Sequence, residues 1–88
     1  MTHELKSLPE FFEPILDGSK TFEIRNDDRD IGFGRKTGFC VGDRLLLREW
    51  IGETLGYTTR VVIVEVTYIT DFEQREGYVV MSIRRVYV

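Results

Sequence analysis

The stretch Gly18-Ser19-Lys20-Thr21-Phe22-Glu23-Ile24-Arg25 leaves a helix and enters a strand. Glycine closes the preceding element, because it reaches left-handed backbone without steric cost. In the strand that follows, side chains alternate, so Thr21, Glu23 and Arg25 share one face while Phe22 and Ile24 share the other. This pattern predicts that Phe22 and Ile24 enter a core. The opposite face then carries a carboxylate beside a guanidinium, with the Lys20 ammonium at the strand's start. A row of fixed charges on a rigid element suits a polar, flat ligand.

Upstream of this stretch, residues His3 to Lys6 read as a short strand and Ser7-Leu8-Pro9-Glu10 as a helix start. Ser7 is placed to cap, Glu10 stands three residues on as in a capping box, and proline is tolerated in a first turn. Phe11 with Ile15 and Phe12 with Leu16, each four apart, give the helix an apolar face. Pro14 removes a backbone donor and predicts a short or kinked helix.

Downstream, Asn26 to Asp30 is polar and turn-like. Residues 31–40, with Gly32, Gly34 and Gly38 among Phe33, Arg35, Lys36 and Phe39, read as an insertion loop with basic and aromatic tips. Val41-Gly42-Asp43 turns into a strand over Arg44 to Trp50, and Gly52 to Gly56 is a hairpin tip. Tyr57 to Ile69 is a long β-branched strand, and Tyr78 to Val88 is the last, with Val79, Met81 and Ile83 on one face. The result is an α+β chain: one short N-terminal helix and a small mixed sheet. Strands this long in so short a chain are expected to curl into a barrel, which removes exposed edges.

At 88 residues, the chain is expected to be one domain, 1–88, with a single core. Charged residues make up 31% and hydrophobic residues 42%, a globular balance. No apolar run suits a membrane span and the N-terminus lacks signal-peptide order, so a cytoplasmic location is expected. Cys40 is the only cysteine, which rules out an intrachain disulfide and a cysteine-built metal cluster; no metal or cofactor is expected. A net charge of −3 argues against strong non-specific duplex binding, although a local basic patch remains compatible with it.

Gly18-x-Lys20-x-x-Glu23-x-Arg25, between a short helix and a strand, resembles the signature of ASCH domains in the PUA-like superfamily of small β-barrels. His3-Glu4-Leu5-Lys6, Asp28-Arg29, Val41-Gly42-Asp43, Leu47-Arg48-Glu49-Trp50 and Gly77-Tyr78-Val79-Val80 extend the likeness across nearly the whole chain. They resemble a branch of single-domain proteins of bacteria and phages. The resemblance implies a PUA-like pseudobarrel with a cleft between helix and barrel, lined by the charged motif, and an association with RNA. Some ASCH members resemble small amidohydrolases that remove an acyl group from modified cytidine. They carry threonine where Glu23 stands, which tilts this cleft toward binding.

The leading expectation is therefore a module that binds RNA or a nucleotide-like ligand through Lys6, Lys20, Glu23, Arg25, Arg29 and Arg48, with Phe33, Arg35 and Lys36 as loop contacts. A second is a nucleoside amidohydrolase with Lys20, Thr21 and Glu23 as catalytic groups. A third is a phage-type domain that docks on a host protein through Phe33, Phe39 and the basic pairs. His3 is read as structural, Trp50 as barrel core or cleft wall, the tyrosines as packing groups and Cys40 as a small apolar filler.

Overall fold

Three consecutive antiparallel strands supply most of the core. A computed structural model describes residues 1–27, 30–32, 35–36 and 38–87. The strands are β5 (Arg44–Trp50), β6 (Tyr57–Thr70) and β7 (Tyr78–Arg85). Their inward positions alternate along each strand: Leu45 and Leu47, then Val62, Val64 and Val66, then Met81 and Ile83, all buried. Leu47 faces Val62 and Leu45 faces Val64 across the β5–β6 ladder. Burying each such side chain contributes about 1.5–3 kcal/mol.

Two further strands extend this meander at its ends. β1 (Thr2–Ser7) runs parallel to β5, and β2 (Phe22–Asn26) runs antiparallel to β7, which gives the order β1-β5-β6-β7-β2. The sheet curls into a half-barrel. This agrees with the expected small barrel at the level of an α+β half-barrel, but among the described residues its end strands β1 and β2 do not pair, so the expectation that curling removes exposed edges is corrected to an open seam. A separate antiparallel ribbon, β3 (Asp30–Gly32) with β4 (Arg35–Lys36), occupies the segment expected to be a plain loop.

The one helix among the described residues, α1 (Pro9–Asp17), leads from β1 back toward β2. Its N-cap is Leu8, in extended conformation and with no side-chain cap, while Ser7 is a buried residue of β1 rather than the expected cap. Pro14 lies inside the nine-residue helix without ending it. Gly18, at φ 86°, stops the helix and donates its N–H to the Ile15 carbonyl. Phe12 and Ile15 are buried against the sheet. Phe11, on the neighbouring flank, is exposed.

The largest correction concerns β2. Glu23 pairs with Met81 and Arg25 with Val79, and cross-strand partners share a face. Register therefore turns the charged side chains into the half-barrel. Glu23 is 4% exposed, whereas Phe22 and Ile24 remain 42% and 48% exposed, the reverse of the expected assignment. Phe39 is also reassigned: it is a core residue, its ring 4.6 Å from that of His3, and so does not serve as a surface anchor. Cys40 is an exposed free thiol, not a filler. Tyr57, Tyr68 and Tyr87 are exposed rather than packed.

Candidate functional site

The open seam between β1 and β2 is a cleft of about 500 Å³, with α1 closing one end. Its floor combines the end of β1 with the inward face of β2: Lys6, Ser7, Lys20, Glu23 and Arg25. Its walls are apolar, from Leu8, Phe11, Phe22 and Ile24. The exposed side chains of β2 thus form a rim, and its charged side chains form the bottom.

Arg25 spans the seam. One terminal nitrogen, Nη2, donates to the Lys6 carbonyl at 2.9 Å, and Nε lies 3.5 Å from Glu23 Oε2. Lys20 Nζ donates to the Phe22 carbonyl at 2.8 Å and lies 3.4 Å from the same Glu23 oxygen. The ammonium also sits over the rings of Phe22 and Phe11, 4.9 and 5.8 Å from their centroids. Glu23 Oε2 is thus flanked by two cations. The other oxygen, Oε1, is buried without a hydrogen-bond partner among the described residues, as are Ser7 Oγ and Arg25 Nε. A buried polar atom left unpaired costs about 1–3 kcal/mol, so these three atoms are hydrogen-bonding capacity held ready at one place.

Two polar networks hold the elements that build the cleft. Asp43, in the turn before β5, accepts from His3 Nε2 at 2.8 Å, from the Cys40 amide at 3.0 Å and from the terminal ammonium at 3.2 Å. An ionised carboxylate only accepts, which makes Nε2 the protonated nitrogen of His3. Burial pushes the Asp43 carboxyl up, but these hydrogen bonds and the ammonium charge outweigh it and hold the group below its ordinary value of 3.8. His3 is therefore structural, as expected from the sequence. On the far side, a bulge between Arg48–Trp50 and Tyr57–Val61 turns Thr58 and Arg60 toward buried Glu49. Arg60 Nη2 bridges Glu49 at 2.9 Å to Glu13 of α1 and so ties the helix to the sheet. The Arg60 hydrogen bond holds Glu49 below its ordinary pKa, and its carboxylate partners raise that of Arg60 in turn.

Of the residues expected to bind ligand, Lys6, Lys20, Glu23 and Arg25 meet in the cleft. Arg48 lies outside it, on the outer face of β5, where it pairs with Glu4 at 2.8 Å. Thr21 is exposed and does not line the cleft. Trp50 is half-buried on that same outer face, not in the core. Arg29 and Phe33 lie outside the described residues, as do the side chains of Arg35 and Lys36. Sequence reasoning missed Ser7 as a floor residue and Phe11, Phe22 and Ile24 as walls. The signal for Phe22 and Ile24 was the apolar alternation of β2, read with the wrong face inward.

Among the described residues, no group of three His, Cys, Asp or Glu side chains is placed to hold a metal. No described helix is long and apolar enough to cross a membrane. A family model described as a domain of unknown function, DUF3850, matches residues 2–83. The chain belongs to the DUF3850 family. A similar protein, the "Uncharacterized 12.9 kDa protein in GpA 3'region" of Escherichia phage P2, is 32% identical over 80 residues. That alignment covers 90% of this chain and 64% of the phage protein, so the chain spans less than two thirds of that relative's length. The cleft-lining residues lie within the stretch matched by the DUF3850 model.

Proposed function

We propose that this protein is a PUA-like module of the ASCH type whose seam cleft binds a nucleotide-like ligand or the base of an RNA nucleotide. The observation that carries this reading is the buried carboxylate of Glu23, with one oxygen held between two cations and the other unpaired. An ionised carboxylate accepts from the amino group of a base. Lys20 and Arg25 exceed Glu23 by one positive charge, which suits an anionic group such as phosphate. Phe11 and Phe22 supply flat apolar walls for a ring. The ASCH resemblance supports the same cleft.

An amidohydrolase is the weaker reading. Glu23 stands where those enzymes carry threonine, Lys20 is engaged by the Phe22 carbonyl, and Thr21 is exposed and does not line the cleft.

The test is a titration of labelled protein with the four ribonucleoside 5′-monophosphates, followed by backbone amide shifts. Amides of Ser7 and Lys20–Arg25 are expected to move. Glu23→Gln, which keeps the shape but offers the ligand an amide in place of a full acceptor, is expected to weaken binding about tenfold or more, in line with the worth of a charged hydrogen bond. Unmoved amides at millimolar nucleotide, or an unaltered affinity in the variant, would overturn the proposal.

A further inference from the structure

We infer that the outer face of β1, β5 and β6 is a second contact surface, which carries the continuation of a single RNA strand whose base occupies the cleft. This inference rests on the nucleotide-binding reading of the cleft and adds that the ligand is a polymer.

Four residues form a compact block on that face. Lys6 pairs with Arg48 across the parallel β1–β5 ladder, and Trp50 pairs with Tyr57 across β5–β6. Each cation lies over one of the aromatic rings: Lys6 Nζ is 4.4 Å from the Trp50 centroid and the Arg48 guanidinium carbon is 3.9 Å from that of Tyr57. Tyr57 is 40% exposed. The short Arg48 distance gives a guanidinium plane backed by a phenol ring. Such a plane accepts a stacked base on its outer side while its N–H groups remain available to phosphate oxygens.

Continuity with the cleft decides the occupant. Lys6 lines the cleft, where its carbonyl accepts from Arg25, and its ammonium covers Trp50 on the outer face, so one residue stands at the border of both surfaces. A strand that leaves the floor past Lys6 meets Trp50, then Arg48 and Tyr57. The only carboxylate engaged with the block is Glu4 among the described residues, 2.8 Å from Arg48 and itself exposed, so an incoming phosphate can take its place. Positive charge interleaved with aromatic rings is the combination that holds single strands with little dependence on sequence.

The experiment compares a ribonucleotide monophosphate with the homohexamer of the same base, in wild type and in the double variant Arg48→Ala/Tyr57→Ser. Both substituted side chains lie outside the cleft. The hexamer is expected to bind wild type about ten times more tightly than the monophosphate. The double variant is expected to lose about five- to tenfold in hexamer affinity, which brings it down to the level of the monophosphate, whose own affinity is unchanged. The slope of log affinity against log salt is expected to become shallower by about 0.7, because the variant neutralises one phosphate fewer. A hexamer bound no tighter than the monophosphate, or a double variant that binds the hexamer normally, overturns the second surface while leaving the cleft standing. If neither probe binds wild type, both readings fall together.

Discussion

Phe12→Ala is expected to lower the unfolding free energy by about 3–5 kcal/mol, the usual cost of emptying a fully buried aromatic site. Phe12 is 0% exposed and belongs to the only helix among the described elements. A small domain has a total stability of only about 5–15 kcal/mol, so one such loss removes a large share of it. The ring also underlies the Arg60 guanidinium, whose centre lies 5.0 Å away. Its loss therefore disturbs both the apolar contact and the Glu13–Arg60–Glu49 bridge that hold α1 to the sheet. Urea unfolding measures the effect: the midpoint is expected to fall with little change in slope. Because the next residue, Phe11, forms a cleft wall, ligand affinity is expected to drop with stability. A loss below about 1 kcal/mol would mean that α1 is not anchored through Phe12.

The second large effect is expected at Asp43. Removing its carboxylate withdraws the acceptor from His3, from the Cys40 amide and from the terminal ammonium together. The cost is about 1–3 kcal/mol for the buried donor alone. The sign of the pH dependence follows from the direction of the shift. Asp43 is held below 3.8 in the folded protein, and Glu49 below 4.5. The stability each contributes is fully present above its unfolded value and is lost as pH falls through the lower, folded value. Wild type is therefore expected to lose stability on acidification below about pH 4.5. Asp43→Asn is expected to be less stable at neutral pH but to lose less on acidification. Urea midpoints measured between about pH 6 and pH 2.5 check this. Parallel curves for the two proteins would remove Asp43 as the acid-sensitive group.

How far the fold could be read in advance differed between strands for a physical reason. β5, β6 and β7 declare themselves through β-branched content and alternation, and the inward set Val79, Met81 and Ile83 follows directly. β2 was recognisable as a strand, but not which way it faces. That is fixed by its register against β7, a tertiary fact, and Phe22 and Ile24 mimic a core face. Ser7 was hidden by a local signal, because Ser-x-x-Glu has the form of a capping box even where β1 runs through the serine. Phe39 stands among glycines and charges, which conceals that it packs on His3. For the site, the cluster Lys6, Lys20, Glu23 and Arg25 was legible as charge pattern. Arg48 was misplaced because adjacent strand residues diverge, and the cleft walls depend on the reversed face of β2.

The open seam also bears on how copies of this chain avoid one another. Unpaired end strands are templates for adding a foreign strand, and this half-barrel has two, with apolar Phe22 and Ile24 on one of them. The Lys20 ammonium occupies the Phe22 carbonyl and the Arg25 guanidinium occupies the Lys6 carbonyl, one on each open strand. The two cations that flank Glu23 therefore deny those backbone acceptors to an intruding chain. Arg25→Ala is expected to self-associate as its concentration rises, detectable by light scattering, under conditions where wild type does not. Equal scattering from both proteins would show that the seam needs no such guard.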